Sequence, residues 1–161
     1  LMLKPDWQQA QLLALRLHLQ AGEQEQADRL IRDLHVAAPK DLQLRLSLGS
    51  LLLENERLEA ARAEFAKALK IDPNNFAAIY ALGLLDLDAG DLDAAETHFN
   101  KLLRDQSRAS DASYYLGRIE EKRGNWTLAR ALCKQAKAEG WADDWDHHIG
   151  RIDKKLAAMK T

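Results

Sequence analysis

Apolar residues recur along this chain three and four positions apart, which is the spacing of one face of an α-helix. Two such sets are Leu44, Leu48 and Leu51, and Ala78, Leu82 and Leu85. Glycines that suit the positive φ of a tight turn separate paired sets, at Gly22, Gly90 and Gly124. The pattern predicts an all-α chain of nine helices without strands.

The helical pattern itself repeats every 34 residues. A Leu-Gly dipeptide returns at this interval, at Leu48–Gly49, Leu82–Gly83 and Leu116–Gly117. An alanine returns at the same interval, at Ala27, Ala61, Ala95 and Ala129. A fixed period of this length indicates an α-solenoid, in which each helix pair buries its apolar face only against its neighbours.

With these residues the chain resembles the tetratricopeptide repeat family, whose motif is roughly W-x2-L-G-x2-Y, A-x3-F and P. The best copy contains Leu48–Gly49, Ala61, Phe65, Ala68 and Pro73. We place four repeats at 8–41, 42–75, 76–109 and 110–143. Residues 1–7 align with the tail of a preceding repeat, which suggests a piece of a longer array, and 144–161 predict a C-terminal capping helix with an apolar stripe from Trp145 to Met159. The resemblance implies a right-handed α-solenoid that acts as a non-catalytic interaction scaffold.

Charge and composition narrow the class of partner. The net charge is −2, and residues 1–81 carry 10 basic and 11 acidic side chains against 13 and 14 in the rest. Neither half is a basic footprint, so a nucleic-acid partner is not predicted. No apolar run reaches membrane-spanning length, and no cofactor motif is present. The single cysteine, Cys133, predicts a small buried apolar side chain and leaves the compartment open.

The resemblance implies that the fifth, ninth and twelfth residues of each first helix line a concave groove. These residues are Leu12, Arg16, Leu19, Leu46, Ser50, Leu53, Tyr80, Leu84, Leu87, Tyr114, Arg118 and Glu121. We expect Tyr80 and Tyr114 to act as aromatic anchors for a protein or peptide partner. Family members that clamp a carboxylate use Lys and Asn here, and those residues are absent. The alternative is a structural spacer, in which these leucines only pack between the first helices.

Acidic residues and histidines are common metal ligands, but their spacing in this chain does not favour a metal site. His147 and His148 follow three aspartates, yet adjacent helical residues point about 100° apart, so we expect solvent-facing imidazoles. The acidic run that starts at Asp86 lacks the glycine and glutamate of a calcium loop and predicts a solvated turn. Asp86 and Glu120 occupy a position where the family prefers Tyr. Each predicts either loosened packing or a buried pair with a neighbouring Arg.

Two further expectations concern partners. The third and fourth repeats are similar to those of proteobacterial envelope lipoproteins that recruit a C-terminal processing protease, and the Ala-, Leu-, Arg- and Gln-rich composition is typical of bacteria. Both a periplasmic and a cytoplasmic location fit. The helix that begins near Gln8 is apolar nearly all round, through Leu12, Leu13, Leu15, Leu17 and Leu19. This predicts weak self-association through the N-terminal end.

Overall fold

The structure is a computed structural model, and it describes residues 5–104, 108–138 and 145–159. These residues form nine helices and no strand. The helices are α1 (Pro5–Gln20), α2 (Gln24–Ala37), α3 (Leu42–Glu54), α4 (Leu58–Ile71), α5 (Phe76–Ala89), α6 (Leu92–Leu102), α7 (Ala109–Arg123), α8 (Trp126–Ala138) and α9 (Trp145–Ala158). The predicted helices are therefore confirmed over this part of the chain.

The chain divides into two compact units, Leu1–Ala78 and Ile79–Thr161. In the first unit, α1 pairs with α2, α3 pairs with α4, and α1 also contacts α3. The repeated Leu-Gly and Ala positions lie in its core, where Leu48 and Ala61 are fully buried. Gly49 allows the close approach of α4, because a Cβ there would lie 2.7 Å from the Phe65 ring.

The second unit contains most of α5 and all of α6 to α9. Within it α7 packs against both α6 and α8, and α9 packs against α8. Gly83 and Gly117 lie against Phe99 and Cys133, at distances that exclude a larger side chain. Ile152 of the capping helix is fully buried against α8. The predicted stripe of α9 ends early, however, since Met159 is 69% exposed. The side chain of Trp145 lies outside the described residues.

The turns inside the helix pairs use a left-handed residue at one recurring position. Gly22, Gly90 and Gly124 have φ values of 73°, 80° and 81°, as predicted. Glu56 occupies the same position in the second repeat and has φ 59°. A Cβ makes this conformation unfavourable, so the turn between α3 and α4 is strained where the other three are not.

Buried charge connects the first two repeats. Arg45 and Glu64 are 6% and 3% exposed. The Glu64 carboxylate accepts a hydrogen bond from Arg45 Nη1 at 2.9 Å and one from Lys67 Nζ at 2.8 Å, and its Oε2 lies 3.0 Å from His35 Nε2. Burial alone would raise the pKa of Glu64, but the bonds from Lys67 and Arg45 outweigh it and hold that pKa below its usual range. This charge network joins α2 of the first repeat to both helices of the second.

Asp86 and Glu120 pair with partners, which decides between the two readings of their positions. Asp86 is 2% exposed and its Oδ2 lies 2.9 Å from Nδ1 of His98, a histidine rather than the expected arginine. Glu120 is 7% exposed and accepts hydrogen bonds from Arg123 and Asn125 at 2.8 and 2.6 Å. Both carboxylates therefore replace an aromatic packing residue with a polar contact inside the second unit.

Candidate partner-binding surfaces

A groove of about 650 Å³ lies along the first helices of the first unit. Its lining comes from α1, α3 and the start of α5: Gln9, Leu12, Leu13, Arg16, Gln43, Leu46, Ser47, Ser50, Leu51, Glu54 and Ala77. Leu12, Arg16, Leu46 and Ser50 are among the positions predicted from the repeat. The helical spacing of α1 and α3 therefore brings these predicted side chains together on one surface.

The chemistry of this first-unit groove is apolar with a neutral polar edge. Leucines from both helices supply the apolar part, while amides and hydroxyls such as those of Gln43 and Ser50 supply hydrogen-bonding groups. Arg16 and Glu54 lie 3.5 Å apart with half-exposed side chains, so they offset each other's charge. Such an exposed pair contributes little to stability. The groove suits a segment that offers apolar side chains and a backbone to bond.

Leu19 and Leu87, two of the four residues predicted at the twelfth position, are buried, so they do not face an open groove. Leu19 and Leu87 are only 7% and 4% exposed, and Leu53 does not line the groove. The carbonyls of Leu19 and Leu87 accept hydrogen bonds from the turn glycines Gly22 and Gly90. The chain turns directly after these two leucines, at the ends of α1 and α5.

In the second unit, Tyr80 is held in an aromatic cluster. Its hydroxyl lies 2.8 Å from that of Tyr115, and its ring meets Tyr115 and Phe99 edge-on at 5.4 and 6.4 Å. Tyr115 also stacks on Phe99 at 4.8 Å. Burial, followed by the bond with Tyr80, raises the pKa of Tyr115, which therefore stays neutral. Tyr80 thus packs within this aromatic cluster, and its role as an anchor for a partner stays a prediction. Leu84, one helical turn further along α5, is half-buried.

Tyr114 and Arg118 form a second contact on α7. Arg118 Nη1 donates to the Tyr114 hydroxyl at 3.0 Å, and its guanidinium lies 5.8 Å from the ring centre. Burial would lower the pKa of Arg118, but the bond to Tyr114 outweighs it and raises that pKa, so the group remains a cation.

His148 covers one side of Tyr114 and is not solvent-facing as expected. It lies 34 residues beyond Tyr114, so it occupies the next fifth position of the repeat. The two rings are 6.2 Å apart, and His148 Nε2 lies 3.3 Å from Glu121 Oε2. Its side chain is 17% exposed and that of Glu121 is 11% exposed. His148 of α9 therefore lies against Tyr114, a residue predicted to face the groove. The side chains of Asp146 and His147, and all of Asp143 and Asp144, lie outside the described residues.

Among the residues that the structure describes, no three His, Cys, Asp or Glu side chains come together to hold a metal ion. None of the described helices combines the length and hydropathy that crossing a membrane requires. Cys133 is fully buried, as predicted. Burial raises the pKa of its thiol to about 11, which disfavours the reactive thiolate.

Comparison with known families decides the class of this protein. A model described as tetratricopeptide repeat matches residues 80–144, and a second, described as TPR repeat, matches residues 49–87. The chain belongs to the tetratricopeptide repeat family. Proteins of this family are generally non-catalytic scaffolds. No curated protein matches the sequence, so the narrower resemblance to envelope lipoproteins stays a prediction.

Solved structures show the same fold at low sequence identity. A MamA double mutant from RS-1 has a TM-score of 0.75 at 19% identity over 92% of this chain and 84% of its own. A tetratricopeptide repeat protein from Parabacteroides merdae scores 0.74 at 16% identity, over 94% and 60%. PilF from Pseudomonas aeruginosa scores 0.68 at 18% identity, over 95% and 70%. These likenesses establish the fold of helix pairs.

Proposed function

We propose that this protein is a non-catalytic scaffold that binds a segment of a partner protein in the first-unit groove. The single observation that carries the proposal is the groove of about 650 Å³ on α1 and α3. Its leucines Leu12 and Leu46 are partly exposed, and the chain's own described side chains do not fill the space between them. A groove of this size lies in the range of typical ligand sites.

The chemistry of the groove defines the partner segment. Leu12 and Leu46 would receive apolar side chains, and the amide of Gln43 and hydroxyl of Ser50 would bond backbone groups. An amphipathic helix or an extended segment with apolar residues on one side fits this description. The paired charges of Arg16 and Glu54 give no reason to expect a strongly charged partner.

The alternative function, a spacer without a binding groove, is favoured at one place only. In the second unit, Tyr114 is covered by His148 of the same chain and bonded to Arg118. A surface occupied in this way serves packing. The open leucines of α1 and α3 have no such cover among the described residues, which is why we assign binding to the first unit.

A site-specific photocrosslinker tests the proposal. A benzophenone amino acid at Ser50, which is exposed on the groove, should capture a partner protein in cells that produce this chain. The same amino acid at Ala66, an exposed position on α4 outside the groove, should not.

Matched substitutions identify the surface responsible. Leu12→Lys with Leu46→Lys should weaken capture at Ser50, because losing a hot spot of about 2 kcal/mol raises Kd about 30-fold. Val36→Lys, at an apolar residue that is 83% exposed outside the groove, should leave capture unchanged. Equal capture from Ala66, or capture that survives the lysine pair, would refute the proposal. Circular dichroism should show unchanged helicity in all variants.

A further inference from the structure

A groove with an apolar floor lies between α8 and α9 in the second unit. One part of it, of about 380 Å³, is lined by Trp126, Leu128, Leu156 and Met159 together with the turn at Gly124. A neighbouring part of about 440 Å³ shares Thr127 and Leu156 with the first and extends along α8 to Lys134. We call the two parts together the α8/α9 groove. Leu128 and Met159 are 50% and 69% exposed, so apolar side chains are accessible there.

The α8 side of this groove is a face that second helices leave open even when another repeat follows. Thr127, Ala131 and Lys134 of α8 are all exposed. The equivalent residues of α2 and α6 are exposed as well, although a further helix pair follows each of these helices in the same unit: Glu25, Arg29 and Arg32, and Asp93, Thr97 and Asn100. Stacking of repeats therefore does not use this face, which leaves it available to a partner.

The open face of α8 differs in chemistry from that of the other second helices. α8 contains three basic residues and no acidic one, whereas α2, α4 and α6 each contain two or more acidic residues. An acid in the first turn of each of those helices, namely Glu25, Glu59 and Asp93, is replaced by Thr127 in α8. The next residue is the half-exposed Leu128, where the others have glutamine or alanine. The fourth repeat thus presents an apolar, acid-free version of this surface.

The edge of the α8/α9 groove is positively charged. No Asp or Glu is among the described residues that line it. Arg130 is paired with Asp153 of α9 through two hydrogen bonds. Lys134 and Lys155 are exposed, and Lys155 Nζ lies 6.0 Å from the centre of the Trp126 ring on the groove floor. An apolar floor beside lysine ammonium groups is complementary to a ligand that is both apolar and acidic.

We propose that the α8/α9 groove binds an acidic amphipathic helix of a partner protein. Apolar side chains on one face of that helix would pack between Leu128 and Leu156, as a ridge packs into the groove between two helices. Carboxylates on the flanks of the same helix would lie close to Lys134 and Lys155. The stretch of α8 from Thr127 to Lys134 is about 10 Å long, so about two turns of the partner helix make contact.

Shape and charge favour this occupant over other anionic ones. A nucleic acid requires a larger basic surface than two lysines and one paired arginine supply. A bilayer receives apolar side chains that project into it, whereas the leucines here line a groove. The site is also separate from the first-unit groove, whose lining includes Glu54 and whose proposed partner is not strongly charged.

Three designed helical peptides test the charge requirement. Each has leucines along one stripe, and its flanking positions are all Glu, all Gln or all Lys. Fluorescence anisotropy with the purified chain should give at least about tenfold tighter binding of the Glu peptide than of the Gln peptide at low salt, because two ion pairs form only with the former. High salt should reduce this difference, since exposed charges are screened.

Charge reversal on the protein locates the contact. Lys134→Glu with Lys155→Glu should weaken binding of the Glu peptide at least about tenfold and make the Lys peptide the tighter ligand. Lys40→Glu with Lys70→Glu, at exposed residues outside the groove, changes the net charge equally and should leave the affinities within about twofold of the wild type.

Substitutions of the apolar residues separate the two grooves. Leu128→Ser should weaken binding of the Glu peptide about fivefold, because part of the buried apolar area is lost. Leu12→Ser with Leu46→Ser, in the first-unit groove, should leave that affinity unchanged. Circular dichroism should show the same helicity for all variants.

Four outcomes would overturn the proposal. They are equal affinity for the Glu and Gln peptides, no binding of the Glu peptide at millimolar concentration, binding that survives the Lys134→Glu and Lys155→Glu pair, and binding that only the Leu12→Ser and Leu46→Ser pair abolishes. The last outcome would place the peptide in the first-unit groove and leave the function proposed there intact. Vesicles that contain phosphatidylserine provide a further arm: if they bind with the same dependence on Lys134 and Lys155 while no peptide does, the surface contacts a membrane instead.

Discussion

Gly83→Ala tests whether close helix contact sets the stability of this fold. A Cβ at Gly83 would lie 2.8 Å from Cζ and 3.0 Å from Cε2 of Phe99. The Phe99 ring cannot withdraw easily, because it is fully buried and stacks on Tyr115 at 4.8 Å, with Tyr80 edge-on at 6.4 Å. Relief of the clash therefore requires several aromatic rings to move together.

The magnitude follows from two opposing effects. Overpacking a well-packed core costs about 1–3 kcal/mol. Replacing a mid-helix glycine by alanine contributes about 1 kcal/mol of helix propensity in the other direction. Gly150→Ala isolates the second effect, because nothing lies within 4 Å of a Cβ built there. The difference in unfolding free energy between the two alanine variants should therefore be about 1–3 kcal/mol.

Thermal unfolding followed by circular dichroism measures this difference. For a chain of this length, each kcal/mol shifts Tm by about 2–4 °C. Gly83→Leu should be worse than Gly83→Ala. Phe99→Leu combined with Gly83→Ala should cost less than the sum of the single changes, since the smaller side chain leaves room for the new methyl group. Equal stability of Gly83→Ala and Gly150→Ala would show that α5 and α6 separate freely, and the packing argument would then be wrong.

Two other predictions concern strain and pH. Glu56→Gly should raise the free energy of unfolding by up to about 1 kcal/mol in urea titrations, because φ 59° disfavours a residue with a Cβ; a loss of stability would contradict the strain assigned to this turn. Burial lowers the pKa of His35 below its ordinary 6.5, despite Glu64 nearby. The unfolded chain then binds more protons at mildly acid pH, so the stability from this group is present above about pH 6.5 and is lost as pH falls through the folded pKa. His35→Gln should flatten that slope in urea titrations at several pH values, and an unchanged slope would assign it to other groups.

The repeat allowed the fold and part of the groove to be predicted. The core positions follow from the 34-residue phase, because residues in equivalent positions meet equivalent neighbours. Leu48, Ala61 and Phe65 are buried accordingly. Leu12 and Leu46 share the first-unit groove for the same reason, since each is the fifth residue of its repeat. Core and groove positions that recur every 34 residues are therefore the ones that the sequence predicts.

Features that break the repeat could not be predicted in the same way. Arg45 and Glu64 are charged, so their types indicate the surface, and their burial depends on a pairing across 19 residues that only the tertiary structure shows. The sequence does contain one sign that Arg45 is buried, because this residue stands where the family motif has Trp. The role of Tyr115 has no signal in the sequence, because the repeat motif assigns nothing to its position.

The charge network around Glu64 also affects whether a gene for this protein can lose or gain a repeat. Recombination between similar stretches of DNA tends to delete or duplicate one repeat at a time. Losing one period after His35 would bring Ile79 and His98 to the places of Arg45 and Glu64, since these residues lie 34 positions further on. His35 would then face a second imidazole in place of a carboxylate. We expect this network to select against such slippage and to preserve the order and number of repeats in descendants of this chain.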